Sequence, residues 1–165
     1  MNRSVVVVVA HPDDETLWAG GYLAAHPGTT IVCCSVPEKD PQRVRPFFEV
    51  CRQLKARPVV AAASLAANEE TLDLWPAQLI AEQFDLILTH NRLGEYGHGH
   101  HIDVHHAMHA LGKPMKVFGY GLTKEGEAVD IKLKERLLSL YTTRPEVFAR
   151  QSKKFDLSKE AFIDG

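Results

Sequence analysis

The sequence predicts an α/β fold: a Rossmann-like three-layer sandwich with a mostly parallel sheet in the order 3-2-1-4-5. Three observations carry that expectation. Short apolar runs of strand character recur between residues 4 and 119, helix-like segments separate them, and 165 residues suffice to bury the core of one domain without disulfides. Strands alternating with helices pair in parallel through right-handed crossovers, which places helices on both sheet faces.

The elements follow in order. Residues 4–10 form the first strand, because the five valines Val5 to Val9 are β-branched and too short a run for a secretory or membrane helix. A helical pattern covers 15–25, a strand 30–35, a helix 44–55 and a strand 58–63. Then come a helix at 75–82, a strand at 86–90, a helix at 102–111 and a strand at 115–119. Gly119, Gly121 and Gly126 then break the chain before a short strand at 129–131 and a helix at 132–141. In the tail, Arg144-Pro145 and Gln151 to Lys154 read as a surface excursion, whereas Phe155, Leu157 and Phe162 read as docking residues.

Composition narrows the function. A formal charge of -2 and the lack of a long basic stretch argue against a nucleic-acid groove or a membrane-surface patch. Cys33, Cys34 and Cys51 lack CxxC spacing and read as core residues of one domain spanning residues 1–165 in the reducing cytoplasm. The expected partner is a small molecule; a homo-oligomer is compatible with the sequence.

Topology brings two polar clusters together. In a 3-2-1-4-5 sheet the winding reverses between strands 1 and 4, and ligands bind at the carboxyl ends of the strands there. His11-Pro-Asp-Asp-Glu15 follows strand 1, and Gly94-Glu-Tyr-Gly-His-Gly-His-His101 follows strand 4. The first turn lacks GxGxxG and would meet a phosphate with carboxylates, so it favours a cation over a dinucleotide. Gly20 and Gly21 fall within the helical pattern and read as sites of close helix packing.

Catalytic zinc commonly takes three histidine or carboxylate ligands and keeps one position open. His11, Asp14 and His101 supply such a set. Asp13, beside a ligand and stiffened by Pro12, is the candidate general base; His98 is placed to polarise a substrate carbonyl or to protonate a departing amine. Zinc suits the ligand types best, with another divalent ion such as Fe2+ as the alternative.

Ala10-His-Pro-Asp-Asp-Glu15, His98-x-x-His101, the strand end Thr89-His-Asn91 and the approach Gly94 to His98 resemble the PIG-L/LmbE-type zinc-dependent N-deacetylases. The likeness spans the Rossmann-like core from the first strand to the fifth. It implies removal of acetyl or related acyl groups from an N-acetylated amino sugar, such as an N-acetylglucosamine conjugate. It also implies zinc ligation by His11, Asp14 and His101, Asp13 as base, His98 as oxyanion stabiliser or acid, and Tyr96 contacting the substrate carbonyl. Where many relatives have His-Pro-Asp-His or His-Pro-Asn-His, this chain has His98-Gly-His-His101.

Plainer readings stand beside these. A helix start capped by aspartate accounts for Asp13 and Asp14, though not for His11. His101, His105 and His109 share a helical face, which makes His101/His105 an alternative metal pair, while His105, His106 and His109 read as packing or solvent-facing. His26 reads as a helix end, and His90 either supports the site or closes its strand. Glu15 reads as bonding within the opening turn or positioning a ligand. Trp18, Tyr22 and Trp75 read as core aromatics; Lys39, Arg43 and Arg45 read as a solvated loop. The competing functions are a zinc amidase for a non-sugar amide and a non-catalytic histidine-rich metal-binding protein.

Overall fold

Five consecutive valines need apolar surroundings on both sides, and the computed structural model gives strand β1 (Val5–Val9) that setting, with Val6 to Val9 fully buried. Alternate residues feed separate cores: Val7 and Val9 face one, Val6, Val8 and Ala10 the other. The structure describes residues 3–37, 39–61 and 72–165. The end of the predicted third strand, residues 62 and 63, lies outside them.

β1 occupies the middle of a six-stranded sheet. It pairs in parallel with β2 (Thr30–Cys33) and β4 (Leu86–Thr89), and β3 (Arg57–Val60) and β5 (Met115–Phe118) extend the two flanks. The predicted order 3-2-1-4-5 is therefore present, with a sixth strand, β8 (Phe162–Asp164), added antiparallel to β5. Phe162 thus docks as expected, on a strand the sequence pattern does not reveal. Val8 pairs with Thr89, so β1 and β4 end side by side at the winding reversal.

Helices α1 (Asp14–Ala25), α2 (Val44–Gln53) and α3 (Trp75–Ala81) connect these strands, followed by a tight turn, α4 (Gly94–Gly97), and α5 (Gly99–His109). α5 begins three residues before the expected 102, because His98 holds extended backbone immediately ahead of it. Beyond β5, the expected strand at 129–131 is corrected. The strand is β6 (Glu127–Ala128), paired with β7 (Lys159–Glu160), and Ile131 already belongs to α6 (Ile131–Leu138). Asp130 caps that helix by accepting the Lys132 and Leu133 amides at 3.0 and 3.1 Å, which draws Ile131 into the first turn. A short α7 (Val147–Ser152) crosses the region read as a surface excursion.

α1 is not continuous. Ala19 leaves helical geometry (φ -139°, ψ 15°), and a buried ion pair enters the break. The Lys134 ammonium donates to the Leu17 carbonyl (3.0 Å) and the Tyr120 hydroxyl (3.0 Å) and lies 2.7 Å from Glu160. The Glu160 carboxylate accepts the Gly21 and Tyr22 amides, each at 2.8 Å. Gly21 is sterically required here, as expected for close packing: a Cβ on it would collide with the Val129 side chain. Among the described residues no helix is long and apolar enough to cross a membrane.

Candidate metal centre

The two clusters meet. Asp14 Oδ2 lies 3.3 Å from His11 Nδ1 and 3.3 Å from His101 Nε2, so the three expected ligands contact one another across 90 residues of chain. His98 joins them: its ring stacks on His101 with centroids 4.5 Å apart, and the donor nitrogens of His11, His98 and His101 lie within 4.8 Å of one another. Tyr96 stands beside both rings, 5.6 Å from His101 and 5.8 Å from His98.

Local backbone aims these groups. Asp13 adopts φ 105°, in the left-handed half of the map, which turns the chain sharply between β1 and α1. Its side chain does not cap the helix, contrary to the plainer expectation. Instead its amide donates to Glu15 Oε2 (2.9 Å), and its Oδ2 takes the Arg43 guanidinium at 2.6 Å. Glu15 is held in turn by the Tyr141 hydroxyl at 2.6 Å and by Thr16 at 2.9 Å, so it bonds within the opening turn as expected. Asp14 Oδ1 accepts the Trp18 indole N–H at 3.0 Å, which leaves Oδ2 directed at the histidines.

The second cluster is oriented by a residue the sequence reading did not single out. Glu95, buried and at φ 56°, accepts from Nδ1 of both His101 (2.6 Å) and His90 (2.9 Å), while its Oε1 accepts the Asn91 amide (3.0 Å). Such a carboxylate fixes the tautomer of a ligating histidine. His101 thereby presents Nε2 to the cluster. Asn91 anchors the loop by donating to the carbonyls of Phe118 and Tyr120, each at 2.8 Å.

A second possible ligand set exists, Asp14 with His90 and His101. His90, however, already spends Nε2 accepting the Ala10 amide at 3.0 Å, and its Nδ1 proton goes to Glu95. Ligation through that nitrogen would strand the Ala10 amide at the end of β1. His90 is therefore a support, which resolves the two readings left open for it. The His101/His105 pair finds no support: among the described residues neither group of donors close enough to share an ion contains His105, whose Nδ1 bonds to the His90 carbonyl at 3.0 Å.

The electrostatics follow from burial. Desolvation pushes His11 down to about 4 and His98 down to about 3, keeping both rings neutral near pH 7. Burial opposes the charged ring of His101 too, but Asp14 and Glu95 outweigh it and hold its pKa up at about 10. Burial likewise works against the Asp14 and Glu95 carboxylates. His101 and the neighbouring imidazoles hold Asp14 well below its usual range, and His90 and His101 hold Glu95 at about 2. Burial pushes Asp13 up to about 8, with Arg43 pulling the other way.

A divalent ion fits this site. His98 Nδ1 is buried without a hydrogen-bond partner among the described residues, a state that costs roughly 1–3 kcal/mol unless something binds there, and His101 Nε2 is buried without a hydrogen bond, its near contact being Asp14 Oδ2 at 3.3 Å. The donors, imidazole and carboxylate, are those zinc takes.

Two expectations are corrected. Arg43, read as part of a solvated loop, is 4% exposed; the 3-10 turn Pro41–Arg43 points it inward to Pro12 and Asp13. Trp75, read as core, is 64% exposed, whereas Trp18 is fully buried against the site. The three cysteines are buried, as expected, and His26 ends α1 with its ring on the Tyr22 carbonyl (2.8 Å). His100 places Nδ1 2.9 Å from His11 Nε2.

No known family profile and no curated protein matches the chain. Solved structures do. The conserved protein TT1542 from Thermus thermophilus superposes with a TM-score of 0.68 at 18% identity, covering 99% of this chain and 94% of that one. The N,N'-diacetylchitobiose deacetylase from Pyrococcus horikoshii, complexed with its inhibitor MPG, superposes with a TM-score of 0.62 at 13% identity, covering 99% and 85%. At these identities the likeness establishes a shared fold.

Proposed function

We propose that the protein is a metal-dependent N-deacetylase that hydrolyses the acetamide of an N-acetylated amino sugar or its conjugate and releases acetate. The single observation that carries this reading is the convergence of His11, Asp14 and His101, with His101 Nε2 buried, turned to Asp14 and without a hydrogen bond among the described residues. The full-length likeness to a deacetylase acting on N,N'-diacetylchitobiose supports it.

His11, Asp14 and His101 would hold the ion. Zinc, or another divalent ion such as Fe2+, supplies Lewis acidity and lowers the pKa of water from about 15.7 to about 7. The protein's own residues do the rest. Asp13, its Oδ2 pinned by Arg43 and its carboxylate form favoured once a divalent charge stands nearby, accepts the proton of the water that attacks the acetamide carbon. Tyr96 and His98 flank the carbonyl oxygen as charge develops on it. The C–N bond then breaks; the amine leaves with the proton that Asp13 took from the water, and acetate remains.

Metal-loaded protein is expected to release acetate from N-acetylglucosamine derivatives. Asp13→Ala should keep its metal and lose about 10²–10⁴-fold in turnover, whereas His101→Ala should lose the metal. An Asp13→Ala enzyme of full activity removes the assigned base. Hydrolysis confined to non-sugar amides would make the protein a general amidase. Several weakly held ions without hydrolysis would make it a metal-binding protein.

A further inference from the structure

Trp18 follows Asp14 by one turn of α1, so the two side chains share a helix face. The indole is fully buried. Aromatic neighbours fix its plane: Tyr120 with centroids 5.0 Å apart, Phe155 edge-on at 5.6 Å, Tyr96 at 6.2 Å and His101 edge-on at 6.4 Å. A buried indole N–H needs an acceptor, and this one donates to Asp14 Oδ1 at 3.0 Å.

The two oxygens of Asp14 therefore lie in different surroundings. Oδ1 faces the indole proton. Oδ2 accepts the His11 amide at 2.9 Å and lies 3.3 Å from both His11 Nδ1 and His101 Nε2, with His90 Nε2 at 3.6 Å. An ion among the ligating histidines meets Oδ2. For Oδ1 to join it, the carboxylate must turn out of its bond to Trp18, and the ring is not free to follow. Its neighbours hold it on one side, and on the other the backbone is anchored at the α1 break, where Lys134 takes the Leu17 carbonyl at 3.0 Å. The indole N–H would then be left in an apolar setting with nothing to accept it, which desolvation disfavours.

Coordination chemistry gives that restraint a consequence. Zinc is satisfied by three protein ligands and an open position, whereas Mn2+ prefers six ligands rich in oxygen and gains from a carboxylate that offers both atoms. We propose that Trp18 is a positioning residue of the metal centre: by holding Oδ1 it confines Asp14 to ligation through one oxygen, keeps the coordination number low and favours Zn2+ over Mn2+. The inference rests on the metal centre of the deacetylase reading and adds what selects its ion.

Trp18→Phe keeps an aromatic ring in the cluster and removes the N–H. Zn2+ and Mn2+ affinities are measured by chelator competition for the wild type, for Trp18→Phe and for Trp75→Phe, which removes an exposed indole of α3. In Trp18→Phe the Zn2+ affinity should fall about 10-fold, as when a group that holds a ligand in place is lost, while Mn2+ affinity stays within about two-fold or rises. Trp75→Phe should leave both unchanged. Equal losses for the two ions mean that the ring only packs, and they overturn the proposal, as does an unchanged Zn2+ affinity. The wild type supplies a second measurement that does not depend on the variant folding. Loaded with Co2+, it should show the intense visible absorption of a four-coordinate ion; the weak absorption of a six-coordinate one overturns the proposal. Acetate release from N-acetylglucosamine derivatives is followed separately. The predicted change of selectivity without acetate release ends the deacetylase reading and keeps the proposal, whereas acetate release with equal losses for the two ions does the reverse. A wild type that binds no metal ends both.

Discussion

Two buried polar networks grip the first helix, and they differ in one respect. At the break in α1, Lys134 and Glu160 leave nothing over: the ammonium takes the Leu17 carbonyl, the Tyr120 hydroxyl and Glu160, and the carboxylate takes the amides that the kink releases at Gly21 and Tyr22. At the helix start, Asp13, Asp14 and His101 are equally enclosed and His98 is half-buried, yet His98 Nδ1, His101 Nε2 and Arg43 Nε have no hydrogen-bond partner among the described residues. The first network completes itself and serves the fold. The second is incomplete, and the open nitrogens of His98 and His101 belong to stacked rings, the His101 one 3.3 Å from Asp14, as a ligand site requires.

That contrast can be broken by substitution. The largest stability effect is expected in the closed network: Lys134→Met strands the Glu160 carboxylate and should cost about 3–5 kcal/mol in urea unfolding. Adding Glu160→Leu should not restore the loss, since the Gly21 and Tyr22 amides then lose their acceptor. Full recovery in the double variant would show the pair to be an ordinary salt bridge.

The support of the open network should respond in ligand affinity. Glu95→Gln keeps the shape but weakens its hold on His101 and His90, and zinc affinity measured by competition with a chelator should fall about 10–100-fold. Unchanged affinity would leave Glu95 as packing alone. The smallest effect should have the opposite sign. His98→Leu removes a buried, unsatisfied nitrogen and should leave the metal-free protein unchanged or stabilise it by up to about 1 kcal/mol; a clear loss would mean that His98 is structurally satisfied.

Much of this was legible in the sequence, for physical reasons. Five valines ahead of His11-Pro-Asp-Asp-Glu15 specify a doubly covered strand ending in polar side chains, and strand–helix alternation brings the carboxyl end of β4, with His90 to His101 after it, beside that turn. What escaped was whatever depends on pairing across long separations. β6 and β7 are two residues each and join over a gap of 30 residues, so neither has a period to detect. Arg43 looked like a loop cation because nothing local records that a 3-10 turn aims it at Asp13. Glu95 stood within the motif, but its bonds to two histidines depend on a left-handed backbone that sequence pattern does not encode. Trp75 erred the other way: an apolar segment suggested core, but α3 leaves this ring on the surface.

The most direct measurement is anomalous diffraction from zinc-loaded crystals of the full chain. A single peak bonded to His11, Asp14 and His101 at about 2.0–2.2 Å, with one coordination position left to solvent, is the predicted result. A peak bonded through His90, or rings of His11 and His101 turned to separate ions, would contradict it.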